Sequence, residues 1–375
     1  MKIMRPMSAV GILASAALVL AACGTDPAAT NTGASAPAVP AATGTAQVDC
    51  GGKSPLSAEG SSAQKNAIDI FSLQYGKKCS GQQVNYNPSG SGAGVKQFNA
   101  NQIDFGGSDS PLSGADAEAA KTRCASDAWN LPLVVGPVSI AYKISGVDKL
   151  VLTPEVTAKI FNGGITKWND PAIKAVKGNE SLALPDKAIQ VVSRSDESGT
   201  TDNFQLYLKA ASKGAWTQGA GKAFKGGVGN GAAGSNGVAQ AVKAADGAVT
   251  YVEGAFAKDG LTSAQIDSGS GAVELSAANV AKALDAAKFK KEGTNDLALD
   301  LDGIYASNVA GAYPLLLTTY EIVCSKYADP NVSKAVKAFL NVAATDGQAP
   351  LSEKGYVPIP TKLQEKVLAA IAAIA

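Results

Sequence analysis

Val191-Val192-Ser193-Arg194-Ser195-Asp196-Glu197-Ser198-Gly199-Thr200-Thr201-Asp202-Asn203-Phe204 places a buried strand, a tight polar turn and the start of a helix, 200–211, in one short stretch. The same order recurs nearer the N-terminus. Leu56-Ser57 opens a strand that ends in Ala58-Glu59-Gly60-Ser61-Ser62, and a helix over about 63–75 follows, capped by Ser62 or Ser61. Val84–Asn87 leads through Pro88-Ser89-Gly90-Ser91-Gly92-Ala93-Gly94 to a helix from Val95. Ile103–Gly106 ends at Gly107-Ser108-Asp109-Ser110-Pro111, before a helix near 113–122. Strands alternating with helices at this spacing imply βαβ units and an α/β fold with mixed, mostly parallel sheets. In such sheets the turns beyond the strands' carboxyl ends share one edge, where ligands bind. The turns at 58–62, 88–94 and 106–110 should therefore lie side by side.

Two long apolar runs set the larger organisation. Leu131–Ile144 carries Gly136-Pro137 inside it, and Ala312–Val323 mirrors it. Two crossings around a central block suggest two lobes with a hinge: 49–136 with 312–375, and 137–311. In the second lobe Thr153 caps a helix to about Phe161, and a glycine-rich loop, Gly226–Gly237, leads to a helix near 237–245. Strand Ala248–Val252, a helix at 253–259 and a helix at about 276–289 follow. A terminal helix near 360–374 presents Leu363, Val367, Leu368 and Ile371.

The N-terminus reads as a targeting segment. Lys2 and Arg5 precede an apolar run from Val10 to Val19 that is too short to span a bilayer and ends in the lipobox Leu20-Ala21-Ala22-Cys23. Residues 1–22 are read as a lipoprotein signal peptide and Cys23 as the lipidated residue. Residues 23–48, rich in Ala, Thr, Gly, Ser and Pro, read as a tether with too few large apolar side chains to fold. The remaining Cys50, Cys79, Cys124 and Cys324 form an even set in an exported chain, which argues for two disulfides. Cys50 and Cys79 precede the first two strands, whose starts lie close together in a parallel unit. Cys124 precedes the first crossing and Cys324 ends the return crossing. Cys50–Cys79 and Cys124–Cys324 are the expected pairs.

Formal net charge is only +1, so nothing favours a nucleic-acid partner. The chain has no histidine, which excludes Ser-His-Asp catalysis and His-ligated metal. Ser62-Ala63-Gln64-Lys65 matches the S-x-x-K pattern of serine hydrolases, but no Lys-Thr-Gly or Lys-Ser-Gly accompanies it. The glycine-rich loops lack the ending that a nucleotide-hydrolysing loop needs. What the turns do share is hydroxyls and helix N-termini, which together suit an anion without any metal. Arg194 adds a planar cation that fits oxyanions. Asp109 would repel an anion unless that anion carries a proton, as hydrogen phosphate does and sulfate does not. Its alternative role is to cap the helix near 113–122.

Five ordered motifs then carry a resemblance: Tyr86 with Gly90-Ser91-Gly92-Ala93-Gly94-Val95-Lys96-Gln97; Asp104-Phe105-Gly106-Gly107-Ser108-Asp109-Ser110-Pro111-Leu112; Ile165-Thr166-Lys167-Trp168-Asn169-Asp170; Arg194-Ser195-Asp196-Glu197-Ser198-Gly199-Thr200; and Ala248-Val249-Thr250-Tyr251-Val252-Glu253. From about Leu56 onward the chain resembles the phosphate-binding lipoproteins that feed the phosphate-specific ABC transporter. The resemblance implies a two-lobed periplasmic-binding-protein fold closing over one inorganic phosphate. It assigns ligand contacts to Ser62, Ala63, Ser91, Asp109, Arg194, Ser198, Gly199 and Thr200, with Asp196 orienting Arg194. Ala63 stands where the family often has an aromatic residue, so only its backbone N–H could serve. Glu197 replaces a common glycine and must point away from the anion. The implied protein is a monomer with no cofactor and no enzymatic chemistry, lipid-anchored at the outer face of the cell membrane (periplasmic side in a diderm) beside its permease subunits. The readings it competes with are a sulfate or molybdate receptor and a secreted hydrolase using Ser62 and Lys65.

Overall fold

The computed structural model describes residues 48–375 apart from Ala286. The residues read as a signal peptide, as the lipidated Cys23 and as nearly all of the tether lie outside the described residues. The strands that position the site are β1 (Leu56–Gly60), β2 (Val84–Asn87), β3 (Phe105–Ser108), β4 (Ala128–Lys143), β5 (Gln190–Arg194), β6 (Asn230–Ala232), β7 (Ala248–Glu253) and β8 (Leu316–Cys324). The longer helices are α1 (Lys65–Lys78), α2 (Ser91–Asn99), α3 (Gly114–Cys124), α4 (Pro154–Phe161), α5 (Gly199–Ala211), α6 (Gly234–Ala244), α7 (Ala277–Leu284), α8 (Pro330–Ala344) and α9 (Thr361–Ala372).

The main sheet runs β2-β1-β3-β8-β4-β7-β5-β6, with the short strand Thr262–Ser263 also pairing β4. β1 is parallel to both β2 and β3, so the three turns that follow them do share one edge. β5 is likewise parallel to β7 and β6. Between these two parallel groups stand the antiparallel strands β8 and β4. β4 is one continuous strand through Gly136-Pro137. Up to Pro137 it pairs β8, and from Val138 it pairs β7. Its register with β8 shifts between Thr319 and Tyr320, opposite Pro132, which has no N–H to give the ladder.

Each parallel group has its own aromatic packing. On one side Phe339 of α8 stacks on Phe105 of β3 at 5.2 Å and meets Tyr75 of α1 edge-on at 5.5 Å. On the other, Phe204 of α5 stacks on Tyr251 of β7 at 4.4 Å and meets Phe161 of α4 edge-on at 4.8 Å. Trp168 is fully buried there and donates to the Gly247 carbonyl at 2.9 Å.

Several local expectations need correction. The first helix starts at Lys65 with Gln64 as its N-cap, and no side chain caps it, because both serines are engaged elsewhere. α2 starts at Ser91 rather than Val95, so Gly92, Ala93 and Gly94 already belong to its first turn. α6 starts at Gly234 rather than near Gly237. The helix expected at 253–259 is a single 3-10 turn, Gly254–Phe256, capped by Glu253. α7 ends at Leu284, well short of residue 289.

Both disulfides form as paired from the topology, Cys50–Cys79 and Cys124–Cys324. The second closes a sequence separation of 200 residues and ties the end of α3 to the end of β8. Replacing Cys124 and Cys324 together with serine should lower the unfolding free energy by about 2–5 kcal/mol. Denaturant midpoints would check this. An unchanged midpoint would show that the sheet alone holds β8 in place.

Candidate functional site

Every residue singled out for anion contact comes to one buried place, where the turns after β1, β2 and β3 meet those after β5 and β6. Ser62, Ala63, Ser91, Asp109, Arg194, Ser198, Gly199 and Thr200 are all buried. The approach is so close that two glycines are required by space. A Cβ on Gly199 would sit 2.7 Å from the Asp109 Cβ and 2.7 Å from Ser91 Oγ. One on Gly92 would sit 2.2 Å from Glu197 Oε2.

Asp109 is 1 % exposed and is the centre of the hydroxyl network. Its Oδ1 accepts from Ser61 Oγ at 2.5 Å and Thr319 Oγ1 at 2.8 Å, and its Oδ2 accepts from Thr200 Oγ1 at 2.9 Å. Its backbone N–H donates to Ser91 Oγ at 3.2 Å, and its carbonyl accepts from Asn203 Nδ2 at 2.8 Å. Burial pushes its carboxyl above the usual range; the three hydroxyls and the Arg194 charge oppose that rise. The cap role for Asp109 is not what the structure has: α3 begins at Gly114 with Ser113 at its N-cap.

Arg194 is 4 % exposed and held as a two-pronged pair. Nε donates to Asp196 Oδ1 at 2.7 Å and Nη2 donates to Asp196 Oδ2. Burial alone would raise Asp196, but the Arg194 bonds and charge, with the Gly234 N–H, hold its carboxyl below the usual range. Nη1 of Arg194 lies 3.5 Å from Ser235 Oγ. Glu197 turns its carboxylate to Lys96 at 2.8 Å.

Three helices present N-termini here. α2 begins at Ser91 and α6 at Gly234. α5 begins at Gly199 and is capped by Ser198, whose Oγ accepts from the Thr201 N–H at 3.1 Å. Ser91 and Ser198 each accept a backbone N–H, which leaves each hydroxyl its own proton to donate. Helix N-termini, free hydroxyl donors and a buried guanidinium make a metal-free site for a tetrahedral oxyanion. Among the described residues no cluster of His, Cys, Asp or Glu could hold a metal ion.

Two placements differ from a simple ligand shell. Ser62 Oγ lies 3.0 Å from Ser235 Oγ and accepts the Ser235 N–H at 2.9 Å, joining the first turn to α6. The Ala63 N–H donates to Ser61 Oγ at 3.1 Å. Lys65 does not face Ser62 as a base; it bonds Asp69 on an exposed helix face. The hydrolase reading therefore has no support.

Sequence reasoning passed over Ser61, Asn203, Ser235 and Thr319 as site residues. Ser235 had a usable signal: Gly234-Ser235 follows a strand and opens a helix, as Gly90-Ser91 does. Thr319 had none, since it reaches Asp109 from a strand 210 residues later.

A PBP superfamily domain model matches residues 27–346. The chain is 49% identical to the phosphate-binding protein PstS 3 of Mycobacterium tuberculosis over 378 residues, covering 100% of both. It is 48% identical to the protein of that name in Mycobacterium leprae, again with 100% of both covered. Its fold matches a crystal structure of a phosphate binding protein from Stenotrophomonas maltophilia with a TM-score of 0.64, at 19% identity, over 84% of this chain and 94% of the other. The mixed α/β fold with its central crossing strands, and full-length identity near one half, place the chain in the PstS family of the PBP superfamily.

Proposed function

We propose that this protein captures hydrogen phosphate in the closed site around Asp109 and Arg194 and delivers it to the membrane permease of an ABC transporter. It performs no chemistry on the ligand. The observation that carries this reading is Asp109, a buried carboxylate set among donors. Donors alone would accept any tetrahedral anion, whereas an acceptor in their midst selects one that brings a proton. The contacts are those of Ser62, Ala63, Ser91, Asp109, Arg194, Ser198, Gly199 and Thr200, with Asp196 orienting Arg194.

The lobes are 49–136 with 312–375, and 137–311. The change of partner along β4 between Pro137 and Val138 supports a hinge at that point. The protein acts as a monomer at the outer face of the cell membrane, anchored through a lipid on Cys23. Calorimetric titration with phosphate, arsenate and sulfate tests the function. Phosphate should bind and sulfate should not; sulfate binding as tightly as phosphate would overturn the reading. For the anchor, Cys23→Ala should move the protein from the membrane fraction to the soluble fraction with phosphate affinity unchanged. Retention on the membrane after a salt wash would refute lipidation at that residue.

A further inference from the structure

Behind the anion turns lies a buried acid that phosphate capture, as read above, does not use. Glu321 on β8 is fully buried and stands in register with Gly107 of β3 and Leu131 of β4. Two residues earlier on the same strand, Thr319 bonds Asp109. Among the described residues no lysine or arginine pairs with Glu321. Its Oε2 accepts from Gln64 Nε2 over a long 3.4 Å, and its Oε1 has no hydrogen-bond partner.

Gln64 is fully buried too and links the acid to the site. Its Nε2 donates to the Tyr86 hydroxyl at 3.0 Å, and that hydroxyl donates to the Ser61 carbonyl at 2.8 Å. Ser61 Oγ in turn donates to Asp109. Gly107 makes room for the crossing, since a Cβ there would lie 2.2 Å from Gln64 Nε2 and 2.6 Å from the Tyr86 hydroxyl. A polar chain thus runs from Glu321 through Gln64, Tyr86 and Ser61 to Asp109.

The charged and titratable groups around this chain are almost all acidic. Asp109 acts on Glu321 from beyond β3. Tyr86 lies on β2, and Glu59, at the end of β1, acts on Tyr86. Glu253 faces Asp109 from β7, and Leu131 on β4 is uncharged. Among the described residues Arg194 acts on Asp109 and Lys258 acts on Glu253, and no cation acts on Glu321 itself. A buried carboxylate without a cation is far costlier than the neutral acid. Burial, opposed by the Gln64 bond and assisted by the Asp109 charge, pushes Glu321 up to about 8.

We propose that Glu321 is a positioning residue held as a neutral acid behind the anion turns, and that loss of its proton sets the alkaline limit of phosphate capture. The proposal rests on the phosphate reading. Ionised Glu321 would add a negative charge close to Asp109 and to the bound dianion, in a buried setting where charges are weakly screened. Inorganic phosphate completes its own second ionisation just above neutral pH and stays a monohydrogen dianion beyond it, so on the alkaline side the ligand does not mask the effect. Binding above the Glu321 midpoint must then take a proton from solvent back onto its carboxylate.

The test is calorimetry with inorganic phosphate from about pH 7 to about pH 9.5, in buffers of different ionisation enthalpy. The wild-type Kd should rise by up to about tenfold per pH unit above the midpoint, with about one proton taken up per phosphate. E321Q should match the wild type near pH 7, follow it through the ligand's own second ionisation, and stay flat beyond that point. A flat wild-type profile without proton uptake overturns the proposal, as does an E321Q profile that falls as steeply as the wild type. Proton uptake by the wild type decides the matter even where E321Q does not fold. A wild-type chain that binds no phosphate near pH 7 overturns the phosphate reading and this proposal together, a result distinct from a flat profile.

Discussion

Arg194→Ala should weaken phosphate binding by about thirtyfold to several thousandfold, the effect of about 2–5 kcal/mol when one member of a buried charged pair is truncated. The loss has two sources. The anion loses a charge-assisted donor in a place where water competes poorly. Asp196 loses both of its guanidinium bonds and keeps the Gly234 N–H, so an unneutralised carboxylate is left next to an incoming dianion. Arg194→Lys should fall between the variant and the wild type, because it restores the charge without the fork. Neither change should create sulfate binding, since the acceptor at Asp109 is untouched. Calorimetry with both anions reads all three expectations. Phosphate affinity within threefold of wild type for Arg194→Ala, where threefold is roughly 0.7 kcal/mol, would show that the guanidinium serves only to hold Asp196.

Asp109→Asn should narrow the phosphate-over-sulfate ratio by about tenfold to well above a hundredfold, more than it weakens phosphate itself. An ionised Asp109 facing sulfate meets lone pairs with no proton between them, and an unsatisfied buried acceptor costs about 1–3 kcal/mol or more when charged. The D109N amide can offer an N–H instead. The Thr200 hydroxyl can rotate to accept from that amide, while Ser61 and Thr319 keep their bonds to the remaining oxygen, so the shell survives with little change of shape. A ratio unchanged in D109N would reduce Asp109 to a scaffold residue.

Acid should imitate this variant. Burial raises the Asp109 pKa, so the neutral form arises at a higher pH than for an ordinary carboxyl. As pH falls through that raised value, Asp109 gains a proton to donate and sulfate should begin to bind. The linkage has the opposite sign for folding. A group with a raised folded-state pKa contributes stability that is fully present below its unfolded pKa and lost as pH rises through the folded one. The ligand-free protein is therefore stabilised by neutral Asp109 at the acid pH where selectivity fails. The difference in ligand-free melting between wild type and D109N, which isolates the Asp109 contribution from that of groups such as Asp196, and the phosphate-over-sulfate ratio should move in opposite directions.

The parts of this fold legible in the sequence are those where local chemistry and topology agree. Small polar turns after apolar strands gave the parallel edge, and strand starts placed the cysteines. Arg194 and Asp196 lie two residues apart, and their pairing follows from neighbourhood alone. The start of α2 was hidden because glycine and serine signal a turn whatever the chain does next. Here packing decides: Gly94 lies against β1, where a Cβ would be 2.5 Å from Gly60 Cα, and only helix geometry brings the backbone that near. Ser62 looked like a helix cap because its partner Ser235 lies 173 residues away. The overextended helix at 253–259 failed because Glu253 caps only a single turn. The anion shell was readable where one turn supplies it and unreadable where distant strands complete it.

The position of β8 has a consequence for how such a receptor comes into being. It is the last strand of the main sheet in sequence, yet it lies between β3 and β4 in the interior. A chain made N-terminus first presents Asp109 long before Thr319 emerges, and until residues 316–324 arrive β3 and β4 have no strand between them. Closure over so long a separation is slow compared with the local βαβ units. Receptor assembly is therefore timed by the final stretch of the chain. Ligand cannot template the early stages, because the place that recognises it does not yet exist. A product truncated before residue 316 is accordingly no weak receptor but two half-sheets with no strand to join them.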